Sequence, residues 1–131
     1  MRNRIIQQCL SVAQKNNAAG RHKDNTRFLH YTFIVQRNRV LGYGMNHPGE
    51  PAIHLGYPKT SKIHSEIDAF RRCKHALILG VKFEALNIRL SKNGELRISK
   101  PCPCCSTFLR EIGCHVVVYS TDVGFVTLSA V

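Results

Sequence analysis

The stretch PCPCCSTFLREIGCHVVVYS, residues 101–120, decides the fold. Pro101 and Pro103 suit the opening of a helix, where a missing N–H costs nothing. The helix is expected to run through Ile112 and to stop at Gly113. Directly after it, HVVVYS at 115–120 is an apolar β-branched run and reads as a buried strand. Upstream, residues 85–91 form a second buried-looking strand, Asn93-Gly94 a turn, and 95–99 an extended return. A helix is expected over 64–79, capped by Thr60 or Ser61 and ended by Gly80. Before it, residues 44–61 carry three prolines and three glycines, a long loop of the kind that serves function. Residues 31–36 and 39–43 flank Arg37-Asn38 as an antiparallel hairpin. A first helix covers 2–16, with Ile5, Ile6, Cys9, Leu10, Val12 and Ala13 as its apolar stripe. Residues 20–26 are a polar loop, and 125–131 supply a last edge strand. The order α-β-β-α-β-α-β implies a mixed α/β sheet covered by helices on both faces.

A chain of 131 residues has room for one ordinary domain. Hydrophobic residues make up 44% of it and charged residues 21%. That balance is ordinary for a protein that buries a core. No apolar run is long enough to span a bilayer, and the basic N-terminus lacks the apolar stretch of a leader. A cytoplasmic protein with no membrane partner is therefore expected. Nineteen Lys and Arg against eight Asp and Glu give a net charge of +11, which attracts phosphate-bearing partners. In a reducing compartment six cysteines are not read as disulfides. Cys9, Cys73 and Cys114 sit singly in apolar segments and belong to the core, whereas Cys102, Cys104 and Cys105 crowd into one turn.

Two motifs carry the chemistry: His64-Ser65-Glu66 and Pro101-Cys102-Pro103-Cys104-Cys105. Each opens an expected helix. One imidazole and two thiolates, from His64, Cys102 and Cys105, are the donors zinc prefers, and three protein ligands leave a tetrahedral corner for water. Cys102 and Cys105 are three apart at a helix start, so both sulfurs can reach one ion; Cys104 falls outside that register and reads as a packing residue. Helix N-termini favour the thiolate form. Glu66, two residues beyond His64, is placed to take a proton from water at the metal and pass it to a leaving amine.

On these residues the chain resembles the cytidine deaminase-like superfamily, whose signature is H-x-E followed by P-C-x-x-C. The likeness is nearest to its CMP/dCMP-type deaminases, including small phage-encoded ones. It runs from about His30 and takes in Gly42-Tyr43-Gly44-Met45-Asn46, residues 64–69, Ser99-Lys100-Pro101 through Cys105, and 113–121. It implies a three-layer α/β/α sandwich around a five-stranded mixed sheet, with the whole of 1–131 as one deaminase domain. It further implies one Zn2+ per chain on His64, Cys102 and Cys105, with Glu66 as the catalytic proton shuttle. Asn46 would bond the substrate's sugar, and the Ser65 backbone amide the base. Most relatives carry Ala at the position of Ser65, and an insertion at 92–97 lengthens the interval between the motifs.

The expected reaction is hydrolysis of a cytosine nucleotide or nucleoside, of CMP or dCMP type, to the uracil product and ammonia. A homo-oligomer is expected by the same resemblance. Two rivals stand beside it: a cytosine or adenine deaminase acting on single-stranded nucleic acid or tRNA, and a non-catalytic zinc-bearing module. His47 and His54, in the long loop, read chiefly as surface residues. Lys59, Lys62, Arg71 and Arg72 suit a phosphate and a solvated face equally.

Overall fold

A computed structural model of the chain describes residues 1–19, 28–59 and 62–129. The expected loop at 20–26, Thr60 and Ser61, and the last two residues of the expected edge strand lie outside them; the helix that Thr60 or Ser61 was expected to cap has His64 in its N-cap position instead. Helix α1 spans Asn3–Ala18, β1 Phe28–Gln36 and β2 Arg39–Met45; α2 spans Ser65–Cys73 and β3 Phe83–Ser91. The chain then runs through β4 Leu96–Arg97, α3 Pro103–Glu111, β5 Cys114–Thr121 and β6 Gly124–Ser129.

The strands lie in the order β2-β1-β3-β5-β6, with β3 and β5 parallel and the other neighbours antiparallel. This is the expected five-stranded mixed sheet, to which the short β4 adds a sixth strand beside β3. Arg37 and Asn38 turn the first hairpin, both in the left-handed region at positive φ. That pair is the mark of a type I′ turn, which matches the twist of the strands.

Side chains alternate across a strand, and β1 and β3 use both faces. Leu29, Tyr31, Phe33 and Val35 join Leu86, Ile88 and Leu90 under α1. From α1 itself Ile5, Cys9 and Ala13 meet them, recurring every fourth residue as one helical face requires. On the opposite face Ile34, Ala85 and Val117 meet Ala69 and Cys73 of α2 and Leu109 of α3. The layers are therefore α1, sheet, and α2 with α3, an α/β/α sandwich. No helix among the described residues is long and apolar enough to cross a membrane.

One helix departs from expectation. Instead of covering 64–79, α2 ends at Cys73. The following backbone is held by a buried side chain of β1: Gln36 Oε1 accepts from Ile78 N, and its Nε2 donates to Ile78 O and Val81 O. A tertiary clasp satisfies there the groups a longer helix would have paired internally. Leu79 is left 95% exposed.

Candidate active site

The cleft opens where the N-termini of α2 and α3 meet the sheet. The residue before α2, in its N-cap position, is His64, and the corresponding residue of α3 is Cys102. Pro103 takes the first position of α3, and the Cys105 N–H donates to Cys102 Sγ at 3.4 Å. The sulfur thus caps its own helix, meeting one of the N–H groups that the first turn leaves unpaired. The stretch leading into Cys102 is pinned by Ser99. Its hydroxyl lies 2.8 Å from both Asn87 O and Ser120 Oγ, and its N–H donates to Ser120 O at 2.9 Å.

The three donors converge. His64 Nδ1 lies 3.4 Å from Cys105 Sγ and 3.7 Å from Cys102 Sγ, and all three ligand atoms fall within 4.8 Å of one another. A zinc ion with Zn–S of about 2.3 Å and Zn–N of about 2.0 Å sets tetrahedral donors about 3.5–3.8 Å apart, so the donor set fits that ion in type and spacing. Cys104 points elsewhere, its thiol donating to Gly56 O.

Among themselves the donors share protons unevenly. A hydrogen bond from Cys105, then bonding to His64, pulls the Cys102 thiol down to about 4 against the opposing effect of burial. The same pairing with Cys102, together with burial, pushes Cys105 up, and the bond to Cys102 raises His64. Tyr57, buried beside them, meets Cys105 Sγ through its hydroxyl and sets its ring edge-on to His64 with centroids 4.7 Å apart.

A cleft of about 230 Å³ adjoins the donors, lined by His30, Asn46, His64, Ser65, Glu66, Ser99, Lys100 and Cys102. Glu66, on the first turn of α2, is 6% exposed. Asn87 Nδ2 donates to its Oε2 at 3.0 Å and to Ser99 O at 3.1 Å. Asn87 Oδ1 accepts from the Thr32 hydroxyl at 2.7 Å. With that proton spent, Thr32 Oγ1 is an acceptor for the Ser65 hydroxyl 2.8 Å away, and Ser65 Oγ also lies 3.2 Å from Glu66 Oε1. Three neutral side chains bring three protons to the four contacts of this ring, and Ser65 serves one of its two acceptors at a time.

Asn46 directly follows β2 at the cleft. Its Oδ1 accepts from His30 N at 2.9 Å, and its own N–H donates to His30 O. Asp68 fixes the neighbouring backbone: Met45 N donates to Oδ2 at 2.8 Å, Arg72 Nε to the same oxygen at 2.9 Å, and His47 Nε2 lies 3.2 Å from Oδ1. His30 is held down to about 4 by burial, then by Arg89 and His64, so it faces the cleft neutral. His54 is exposed. The described cation lining the cleft is Lys100 rather than Lys59, Lys62, Arg71 or Arg72.

The expected site residues thus share one cleft or border it. Sequence reading passed over Tyr57, Asp68, Thr32 and Asn87. Of these, Asn87 carried a signal: an amide in the middle of an apolar strand must find buried partners.

The same architecture is found in solved structures. A dCMP deaminase from the cyanophage S-TIM5, in complex with dCMP and dUMP, superposes with a TM-score of 0.59 over 91% of this chain and 82% of that one, at 17% identity. The chain has a cytidine deaminase-like fold. Cytidine deaminases of Mycobacterium leprae (TM-score 0.53, 18% identity, 87% of this chain and 88% of that) and Mycobacterium tuberculosis (0.51, 18%, 86% and 81%) share it. No protein-family model and no curated protein matches the sequence. The likeness to these proteins is thus one of fold, at 17–18% identity.

Proposed function

We propose that the chain is a single deaminase domain that hydrolyses a cytosine nucleotide or nucleoside, of CMP or dCMP type, to the uracil product and ammonia, with one zinc ion per chain. The observation that carries this reading is the convergence of His64, Cys102 and Cys105 at the edge of a cleft that also holds Glu66. His64, Cys102 and Cys105 would hold the zinc ion, which would supply the Lewis acidity that activates water for attack.

The chain's own residues supply the rest. Glu66 carries two protons in turn: one taken from the attacking water goes to the ring nitrogen N3, and a second, taken from the hydroxyl so added at C4, goes to the amine as the C4–N bond breaks and ammonia leaves. Glu66 is buried beneath α2, which keeps bulk water from competing for those protons. The Ser65 backbone amide meets the base, and the Asn46 amide nitrogen, at the end not spent on His30, donates to the sugar. Lys100 at the cleft and the net charge of +11 suit a phosphorylated substrate. A homo-oligomer is the expected assembly.

The test is ammonia release by purified, zinc-analysed protein from dCMP, CMP, cytidine, deoxycytidine, adenosine and a single-stranded oligonucleotide. Glu66→Gln is expected to cut turnover by about 10²–10⁴ while zinc stays at one per chain. Release from the oligonucleotide alone replaces the small-substrate reading with a polymer-editing one. Zinc-loaded protein inactive on every substrate overturns it.

A further inference from the structure

We infer that Thr32 and Asn87 are positioning residues for the Glu66 carboxylate, with the Ser65 hydroxyl closing the ring. The inference rests on the proposed role of Glu66 and adds to it the groups that aim that side chain.

Thr32 and Asn87 are direct cross-strand partners in the register of β1 and β3, the two central antiparallel strands. Both project to the α2 side of the sheet, where their neighbours along the strands, Ile34 and Ala85, are apolar core residues. Both are buried, at 0% and 3% exposure, and neither lines the cleft. A polar pair at such a place is retained only where its bonds are made, since unmet polar groups are costly when buried. Those bonds converge on one side chain. Asn87 holds Glu66 Oε2 at 3.0 Å, and Ser65, tied to Thr32, sits 3.2 Å from Oε1.

A glutamate at the first turn of a helix has three side-chain torsions and, alone, several ways to point. Contact at both oxygens removes most of that freedom. The Asn87 amide is itself fixed from both ends, by the Thr32 hydroxyl on Oδ1 and by Ser99 O on Nδ2, so it cannot turn over without losing two bonds. The carboxylate is thereby referenced to the rigid middle of the sheet rather than to its own helix. Ser65 is the lesser member, because its single proton is divided between two acceptors.

The experiment measures kcat and KM separately for dCMP and cytidine, with zinc content and the urea midpoint of the metal-free chain. Thr32→Val keeps the volume and removes the donor; its kcat is expected to fall about tenfold with KM within about twofold. Asn87→Leu is expected to lose about 100-fold in kcat, the scale of a misplaced catalytic group. Ser65→Ala loses less than about threefold, and Thr32→Ser, which restores the hydroxyl, recovers wild-type kcat. Should Asn87→Leu fail to fold, Thr32→Val and Thr32→Ser carry the comparison. Wild-type kcat in Thr32→Val overturns the inference. So does a kcat loss accompanied by lost zinc, raised KM and a lowered midpoint, the pattern of a merely structural pair. Wild-type protein that releases no ammonia from either compound fails the deaminase reading first and this one with it.

Discussion

Gly44 lies on β2 where α2 crosses it, and alanine there tests how tightly the helix is seated. The added carbon would fall 2.1 Å from Ala69 N and 2.6 Å from both Ala69 Cα and Asp68 C. These are backbone atoms of α2, so no rotamer change relieves the clash. Ordinary contact begins at 3.4 Å. To restore it the helix must retreat, or the strand bow, by more than the length such a packed interior gives up readily. Gly44 is absent from the positive-φ glycines, so the cost is steric alone. Overpacking of this kind costs about 1–3 kcal/mol. With Ala69 and Cys73 both buried against the sheet, the upper half of that range is expected. Urea denaturation should show a lower midpoint with an unchanged slope. The shift also carries His64 and Glu66 with the helix. A donor set whose N···S spacings are 3.4 and 3.7 Å tolerates little displacement. Zinc retention against a chelator should fall at least about tenfold, and turnover about 100-fold. Gly49→Ala, whose new carbon meets a side-chain atom, Ile63 Cγ1 at 2.9 Å, rather than helix backbone, is the lesser comparison. A Gly44→Ala chain with wild-type midpoint and zinc affinity refutes the reasoning.

Cys105→Ser should release zinc and lower the unfolding midpoint together, read by elemental analysis and calorimetry, because metal binding is coupled to folding. Tyr57→Phe removes the hydroxyl bonded to Cys105 Sγ. Zinc affinity measured by competition should then drop about 10–100-fold with the fold intact. His30 titrates at 6.5 when unfolded and about 4 when folded, so the unfolded chain binds the extra proton between those values. Stability should therefore fall as pH is lowered through that interval, with a slope contribution of roughly 1.4 kcal/mol per pH unit that His30→Gln abolishes in a pH series of urea melts.

Much of this fold was legible in the chain because local signals agreed with it. The apolar run at 115–120, the prolines that open α3 and the Arg37-Asn38 turn each had one natural setting. The end of α2 did not. Nothing between Cys73 and Leu79 stops a helix, and the stop comes from Gln36, far earlier in the chain, which bonds to Ile78 and Val81. The convergence of His64, Cys102 and Cys105 was readable because a C-x-x-C pair at a helix start is local chemistry. The ring around Glu66 was hidden by distance along the chain. Thr32 is a common strand residue, and its value appears only when register sets it opposite Asn87. Tyr57 reads as one more aromatic in a loop until α3 brings Cys105 beneath it.

Because β1 and β3 face two different layers, their residues sort by parity: odd positions in β1 and even ones in β3 feed the layer beneath α1, and the others the layer that holds Glu66. One residue inserted within either strand would exchange the two sets from that point on, turning Tyr31 or Ile88 towards the carboxylate and Thr32 or Asn87 into oil. Added length is expected to cost less at the exposed turn of Lys92 and Asn93 than along these nine-residue strands. A one-residue insertion at the sheet's centre is therefore expected to cost both layers at once, whichever residues fill the strands.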